Sequence, residues 1–196
     1  MLRFDGIEKS FGEKAVLRVA TLTVETGKIA ALCGQSGSGK STLLRIAAGL
    51  ETADAGTVAA DGKIAFVFPE PRLYPTLTVT ENVALVMRGK RAKNEKRANE
   101  ILDALGLSEA KSLSPRELSS GMAARVSLAR AIAFDADVYL LDEPFSRLDE
   151  EIKAKVMAYC FAFLRGKTVL FITHDPQEAE RADEVFFLRE GKIEKA

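Results

Sequence analysis

Lys28-Ile29-Ala30-Ala31-Leu32-Cys33-Gly34-Gln35-Ser36-Gly37-Ser38-Gly39-Lys40-Ser41-Thr42 is the stretch that decides the fold. Its first six residues are a short, mostly apolar run, the pattern of a strand buried on both faces. The next nine fit GxxxxGK[ST], and an apolar helix follows to about Ala48, closed by Gly49. A strand, a glycine-rich turn and a helix in that order make a cradle for phosphate. Glycines accept positive φ, so successive N–H groups can turn inward to phosphate oxygens, and the helix adds its positive end. Lys40 is then placed to reach the β- and γ-phosphates, and Ser41 to offer a hydroxyl to Mg²⁺. The candidate nucleotide-contact residues are Gly34, Gln35, Ser36, Gly37, Ser38, Gly39, Lys40, Ser41 and Thr42.

On the N-terminal side, Leu2, Phe4 and Ile7 open a short β-like segment, and Leu17 to Val24 alternates apolar with polar. Both suit antiparallel strands at the edge of the fold. On the C-terminal side, Ala55-Gly56 and Asp61-Gly62 mark turns around a short strand, and Lys63 to Phe68 is the next strand. The character then changes. Pro69, Pro71 and Pro75 predict an extended loop, and Thr78-x-x-Glu81 a capping box opening a helix that ends near Gly89. A polar helix follows from about Lys93 to Leu105, stopped by Gly106. Strands return with Asp137 to Leu141 and Thr168 to Thr173, separated by a helix over Glu150 to Leu164. A short helix from Gln177 to Ala182 and a hairpin around Glu190-Gly191 finish the chain. Strands alternating with helices imply a mostly parallel core sheet. The expected organisation is one α/β domain over 1–196, with a core from 1–71 and 133–196 and a helical subdomain over 72–132.

Composition narrows the function. The chain has 196 residues, enough for one substantial domain, and its 28 basic and 28 acidic side chains cancel. A balanced charge argues against a broad polyanion-binding surface. No run of 18 apolar residues exists, so no membrane-spanning helix is expected. Asp5 and Glu8 fall where a secretory signal needs apolar residues. Cys33 and Cys160 have no metal spacing and read as free thiols. The basic run from Arg88 to Arg97 reads as a solvated helix face.

A phosphate loop needs a carboxylate for its metal. Asp142 ends the apolar strand Val138-Tyr139-Leu140-Leu141, at the sheet edge where ligands bind in such folds. Glu143 follows, so the pair can divide the work: Asp142 to Mg²⁺, Glu143 as general base for an attacking water. His174, the only histidine, ends the strand before Asp175 and so reaches the same edge, within range of a γ-phosphate.

In this order the pieces resemble the ATP-binding subunit of an ABC transporter. The aromatic segment is Ser10-Phe11-Gly12, Walker A is 34–42, and a loop over 66–77 enters the helical subdomain. The signature segment is Leu118-Ser119-Ser120-Gly121-Met122, Walker B is Val138 to Pro144, the D-loop is Ser146-Arg147-Leu148-Asp149, and the switch is His174. The resemblance covers essentially the whole chain. It implies a P-loop NTPase of the ABC type with ATP and Mg²⁺, and two copies that close head to tail on ATP. It also implies a transmembrane permease subunit as partner, and a cytoplasmic place on the inner face of the membrane. No nucleic acid partner is expected. Phe11 is implied to stack on adenine. Ser119, Ser120, Gly121, Met122 and Asp149 are implied to act on ATP held by the opposing copy. The string Phe66 to Leu73, with Leu77-Thr78-Val79 and Glu81-Asn82-Val83, resembles importers of the nitrate, sulfonate and taurine group.

Three positions depart from the family pattern. Pro69 stands where a glutamine usually contacts Mg²⁺ and the attacking water, so either Glu70 shifts into the role or metal contact and coupling are weakened here. Ser120 and Met122 replace the second glycine and the glutamine of LSGGQ, and Ser120 is strained if positive φ is needed there. Arg147 replaces a small D-loop residue. These departures keep open a non-hydrolysing or regulatory nucleotide-binding subunit of an asymmetric complex. A soluble ABC ATPase acting on nucleic acid is the other alternative, and zero net charge, a single nucleotide domain and the lack of a long coiled-coil insertion count against it.

Overall fold

The computed structural model describes all 196 residues, Met1–Ala196. In chain order the elements are β1 (Leu2–Phe11), β2 (Lys14–Val24), β3 (Ile29–Cys33), α1 (Lys40–Ala47), β4 (Ala55–Ala60), β5 (Ile64–Val67), α2 (Val79–Ala84), α3 (Arg91–Ala104), α4 (Ser120–Phe134), β6 (Val138–Asp142), α5 (Glu150–Leu164), β7 (Thr168–Ile172), α6 (Pro176–Ala179), β8 (Glu184–Arg189) and β9 (Lys192–Lys195). They group into two units. One holds Met1–Phe66, Ala136–Glu143 and Leu164–Ala196, the other Val67–Asp135 and Pro144–Phe163.

The first unit carries two sheets. β2-β1-β4 is antiparallel, and β5-β6-β7-β3-β8-β9 is the larger. In the larger sheet β3 pairs parallel with β7 and β8, β6 pairs parallel with β7, and β9 turns back antiparallel on β8. Burial follows the sequence pattern. β6 and β7 are buried at every residue, as central strands covered on both faces should be. β1 alternates buried and exposed along most of its length, and its register slips between Phe4 and Ile7, where Gly6 takes φ 61°. One core joins β1 and β2 (Leu2, Phe4, Leu22) to α1 (Leu43, Leu44) and to the central strands (Leu32, Leu140, Leu170). α1 ends in a Schellman motif: Leu50 N–H donates to Arg45 O at 2.8 Å and Gly49 N–H to Ile46 O at 3.0 Å.

The second unit is helical. α2 begins with the predicted capping box, Thr78 and Glu81 each serving the other's backbone. It ends at Ala84, short of the Gly89 that the sequence suggests. α3 buries Ala98, Ile101 and Leu102 and leaves the rest of its charged surface largely in solvent. α4 starts on Ser119, whose hydroxyl accepts from Met122 N–H at 3.2 Å.

The grouping places the boundaries at 66/67 and 135/136 rather than 71/72 and 132/133, and it assigns Pro144–Phe163 to the helical unit. The reason lies in what α5 touches there. Ile152 sits beside Gly106, and Tyr159 lies in the field of Arg97 and Glu100 on α3. Helical periodicity shows that α5 has an apolar face but not which partner covers it.

Candidate functional site

The phosphate loop leaves β3 through a contact that admits only glycine. Gly34 has φ 147°, and a Cβ there would lie 2.6 Å from the Leu188 carbonyl oxygen of β8. Gly39, at φ 107°, turns into α1 with Val16 just as close to where its Cβ would be. Between them the Lys40 ammonium spans the loop, donating to Gly34 O and Gln35 O at 2.8 Å each. Lys40 is buried. Burial pulls its pKa below the ordinary lysine value, while the Glu143 and Asp142 carboxylates push it back up. A cleft of about 310 Å³ opens over the loop. Ser36, Gly37, Gly39, Lys40, Ser41 and Thr42 line it, with Phe11 and Glu143. Phe11 is 50% exposed, free for a planar ring to cover, with Lys9 Nζ 5.1 Å from its centroid.

The carboxyl ends of three neighbouring strands bring the other groups to this loop. Leu32 of β3 pairs with Ile172 of β7, which pairs with Asp142 of β6. Asp142 is 1% exposed; its Oδ1 accepts from Ser41 Oγ at 3.1 Å, and its Oδ2 is buried without a partner. Burial raises the Asp142 carboxyl pKa above the usual value, against the lowering effect of Ser41. A buried carboxylate oxygen lacking a donor, next to a serine hydroxyl, suits a hard cation that takes oxygen ligands, so the donor set fits Mg²⁺. Ser38 Oγ is also buried without a partner.

Glu143 is held in an uncommon conformation, φ 49°, with its N–H on Ile172 O at 3.2 Å. This aims a carboxylate that is 38% exposed into the cleft, and His174 Nδ1 stands 3.8 Å from Glu143 Oε1. The two residues flanking His174 are fixed by a network that sequence reading does not reveal. Thr173 Oγ1 donates to the buried Glu178 carboxylate at 2.6 Å and accepts from Asp175 N–H at 3.0 Å. The only hint in the sequence is Glu178 at helical spacing from Asp175, where it reads as one more surface acid.

In the helical unit, Ser119 and Ser120 are exposed at the start of α4. Ser120 does not have positive φ, so the expected strain is absent: it is simply the first helical residue. Gly121 packs against the Arg147 carbonyl, which a Cβ would meet at 3.0 Å. Met122 gives its N–H to the Ser119 cap. Asp149 accepts from Ile152 and Lys153 N–H with its carbonyl and opens α5. Glu70 is exposed.

The proline loop is fastened by side chains. Buried Asn82 accepts from Tyr74 N–H at 2.8 Å and donates to the carbonyls of Tyr74, Leu77 and Thr78. Arg130 donates to Arg72 O at 2.7 Å, and Arg147 Nε to Pro69 O at 3.0 Å. Arg125, nearly buried, caps the end of α3 through Leu105 O and Gly106 O.

Known proteins resemble this chain over most of its length. The family model described as ABC transporter matches residues 17–146. A probable sulfate/thiosulfate import ATP-binding protein of Chlorella vulgaris is 40% identical, the match covering 96% of this chain and 87% of that protein. An aliphatic sulfonates import ATP-binding protein of Corynebacterium glutamicum is 40% identical, over 96% and 80%. Other sulfate/thiosulfate relatives are longer: the chain spans 60% of the Mesostigma viride protein and 57% of that from Vibrio cholerae. Among solved structures, a dimeric ATP-binding cassette in a post-hydrolysis state with ADP and Pi aligns over 100% of this chain and 98% of its own, at TM-score 0.92 and 31% identity. With that match across its length and a phosphate loop, Asp142 and Glu143 gathered at one sheet edge, the chain belongs to the ABC transporter family as an ATP-binding cassette.

Proposed function

We propose that this chain binds and hydrolyses ATP to energise a membrane importer, working as a pair of cassettes that close on ATP. One observation carries the reading. Lys40, Ser41, Asp142, Glu143 and His174 come from three separate strand ends and meet at one phosphate cradle, with a buried Asp142 oxygen lacking a partner. Ser41 and Asp142 would hold Mg²⁺, which when bound offsets phosphate charge. Lys40 exchanges its loop carbonyls for phosphate oxygens. Glu143 accepts a proton from the attacking water, and His174, beside it, engages the γ-phosphate. Phe11 offers its ring to adenine. Ser119, Ser120, Gly121, Met122 and Asp149 serve ATP held by the opposing copy; the exposed helix start at Ser119 suits an anion.

The relatives import sulfate, thiosulfate or aliphatic sulfonates, which favours an importer of sulfur oxyanions or sulfonates over one of nitrate. The permease partner fits a groove of about 650 Å³ in the helical unit. Phe68, Arg72, Leu73, Tyr74, Leu85 and Arg130 line it, and Tyr74 and Leu85 are more than half exposed. No helix is long and apolar enough to cross a membrane. In this reading the membrane work belongs to the permease partner, and this chain acts on the cytoplasmic face.

The test is ATPase activity in Mg²⁺ for the wild type and for Glu143→Gln, with sedimentation in excess ATP. The variant is expected to lose activity by about 10²–10⁴-fold and to accumulate as an ATP-bound dimer. A variant as active as the wild type would remove Glu143 from its role. A wild type that binds ATP without releasing phosphate, even with its permease, would favour the non-hydrolysing alternative that Pro69 raises.

A further inference from the structure

Two departures from the family pattern, Pro69 and Arg147, are 78 residues apart in sequence and touch in the structure. Pro69 and Pro71 have no N–H, and Pro71 restricts Glu70 to extended backbone, so this loop cannot build a ladder of its own. Arginines take its carbonyls instead: Arg147 Nε on Pro69 O and Arg130 Nη1 on Arg72 O. The Arg72 guanidinium in turn lies 3.8 Å over the Phe68 ring, on the wall of the groove. Arg147 also reaches the other way. Its carbonyl packs on Gly121 in the first turn of α4, so close that a Cβ there would stand 3.0 Å away. Around it the chain is anchored, because Phe145 and Leu148 are buried and Leu148 N–H closes a turn on Phe145 O. Arg147 itself is exposed.

We propose that Arg147 is a positioning residue that joins the groove loop at Pro69 to the first turn of α4 at Gly121, so that displacement of one displaces the other. The Pro69 carbonyl, not a side chain at position 69, is the handle. That displacement of this loop reports on a docked permease rests on the function proposed above; the mechanical link does not. Arginine suits the place because its planar, rigid fork gives a directional N–H, whereas lysine offers a point charge without that geometry. Coupling of this kind needs a contact that both segments share, and Arg147 supplies it through its side chain on one side and its backbone on the other.

Hydrogen exchange on the full chain tests the link without ATP or permease. The reporters are the amides of Leu73 and Tyr74 in the loop, and of Met122 and Ala123, which bond to Ser119. Arg147→Ala is expected to raise exchange at both pairs by about tenfold and to leave residues 34–42 unchanged, with Arg147→Lys recovering part of the protection. In steady-state assays the same variant lowers kcat by about fivefold with KM for ATP unchanged, since it touches neither nucleotide nor metal. Faster exchange at Leu73 and Tyr74 with none at Met122 and Ala123 overturns the link. So does a uniform rise that includes 34–42, which signals general loosening. Absence of ATPase in the wild type would count against the proposed function, while the exchange pattern still decides the role of Arg147.

Discussion

The phosphate loop and the proline loop are both irregular segments that follow a strand, and they are held in opposite ways. The phosphate loop, 34–42, is shaped by its own backbone. Gly34 and Gly39 take positive φ in spaces that no side chain can share, and Lys40 ties the loop to itself through Gly34 and Gln35 carbonyls. The proline loop, 69–78, holds little by itself. Its carbonyls are claimed by Asn82, Arg130 and Arg147 from other parts of the helical unit. Self-contained geometry keeps a cradle rigid whatever its neighbours do. Borrowed geometry makes a loop respond to its neighbours, which is useful at a surface that has to register a partner.

The comparison breaks most visibly at the glycine. Gly34→Ala puts a Cβ 2.6 Å from Leu188 O at a φ that alanine resists. Backbone strain and overlap together cost on the order of 3–4 kcal/mol. Because the damage is confined to the cradle, it should appear as a loss of ATP affinity of about a hundredfold or more in titration with a fluorescent nucleotide. ATP affinity within twofold of the wild type would mean that the loop relaxes by moving away from β8.

Asn82→Ala is the matching cut in the other loop. It strips partners from the Tyr74 N–H and from the Tyr74 and Leu77 carbonyls, at a site with no exposure. The helical unit should lose about 3 kcal/mol in denaturant unfolding. ATP binding measured well below the transition should be preserved, since Asn82 has no part in the cradle. A variant that unfolds at the wild-type midpoint would show that the loop is not fastened there. Thr78→Ala removes the hydroxyl from the capping box just before α2 and should cost only about 1 kcal/mol in the same experiment. The contrast between the two variants separates loss of one cap from loss of the whole fastening.

How much of this the sequence shows follows from the same difference. A structure made by its own residues in order leaves a pattern. The Gly34–Thr42 cradle, the Thr78–Glu81 box and the strand ending at Asp142 are each legible from consecutive residues. The helix over Glu150–Leu164 has its predicted bounds. A structure made by borrowed contacts leaves none. Asn82 reads as one polar residue inside a capping segment, Glu178 as a surface acid, and Arg125 as a charge on a helix. Each is buried, Asn82 on the Tyr74, Leu77 and Thr78 carbonyls, Glu178 on the Thr173 hydroxyl and Arg125 on the Leu105 and Gly106 carbonyls, and no local pattern marks these partners. Pro69 and Arg147 are conspicuous as departures, yet nothing in their spacing says that they meet. The same limit explains why the boundaries read from sequence differ from this grouping: the partner of α5 is a tertiary fact. Ser120 shows the complementary case: the condition for strain, a positive φ, does not arise because the residue is already helical.

Pro69→Gln tests the smallest of these effects and bears on the comparison most directly. It restores the side chain that the family pattern has at this position. If that side chain were the missing part, permease-stimulated ATPase should rise well above the wild type. But Arg147 holds the residue by its carbonyl, which glutamine keeps. The new amide also meets a loop already stiffened by Pro71 and by Arg130 on Arg72 O. The expected change in stimulated rate is therefore small, less than about threefold, which corresponds to under 1 kcal/mol in barrier height. In the Arg147→Ala background the carbonyl is released, and the same substitution gains room to act. A larger response to Pro69→Gln there than in the wild type means that the borrowed contact has taken over the positioning. Equal responses in both backgrounds mean that the side chain at 69 acts independently of Arg147, and the two departures are then unconnected in function although they touch.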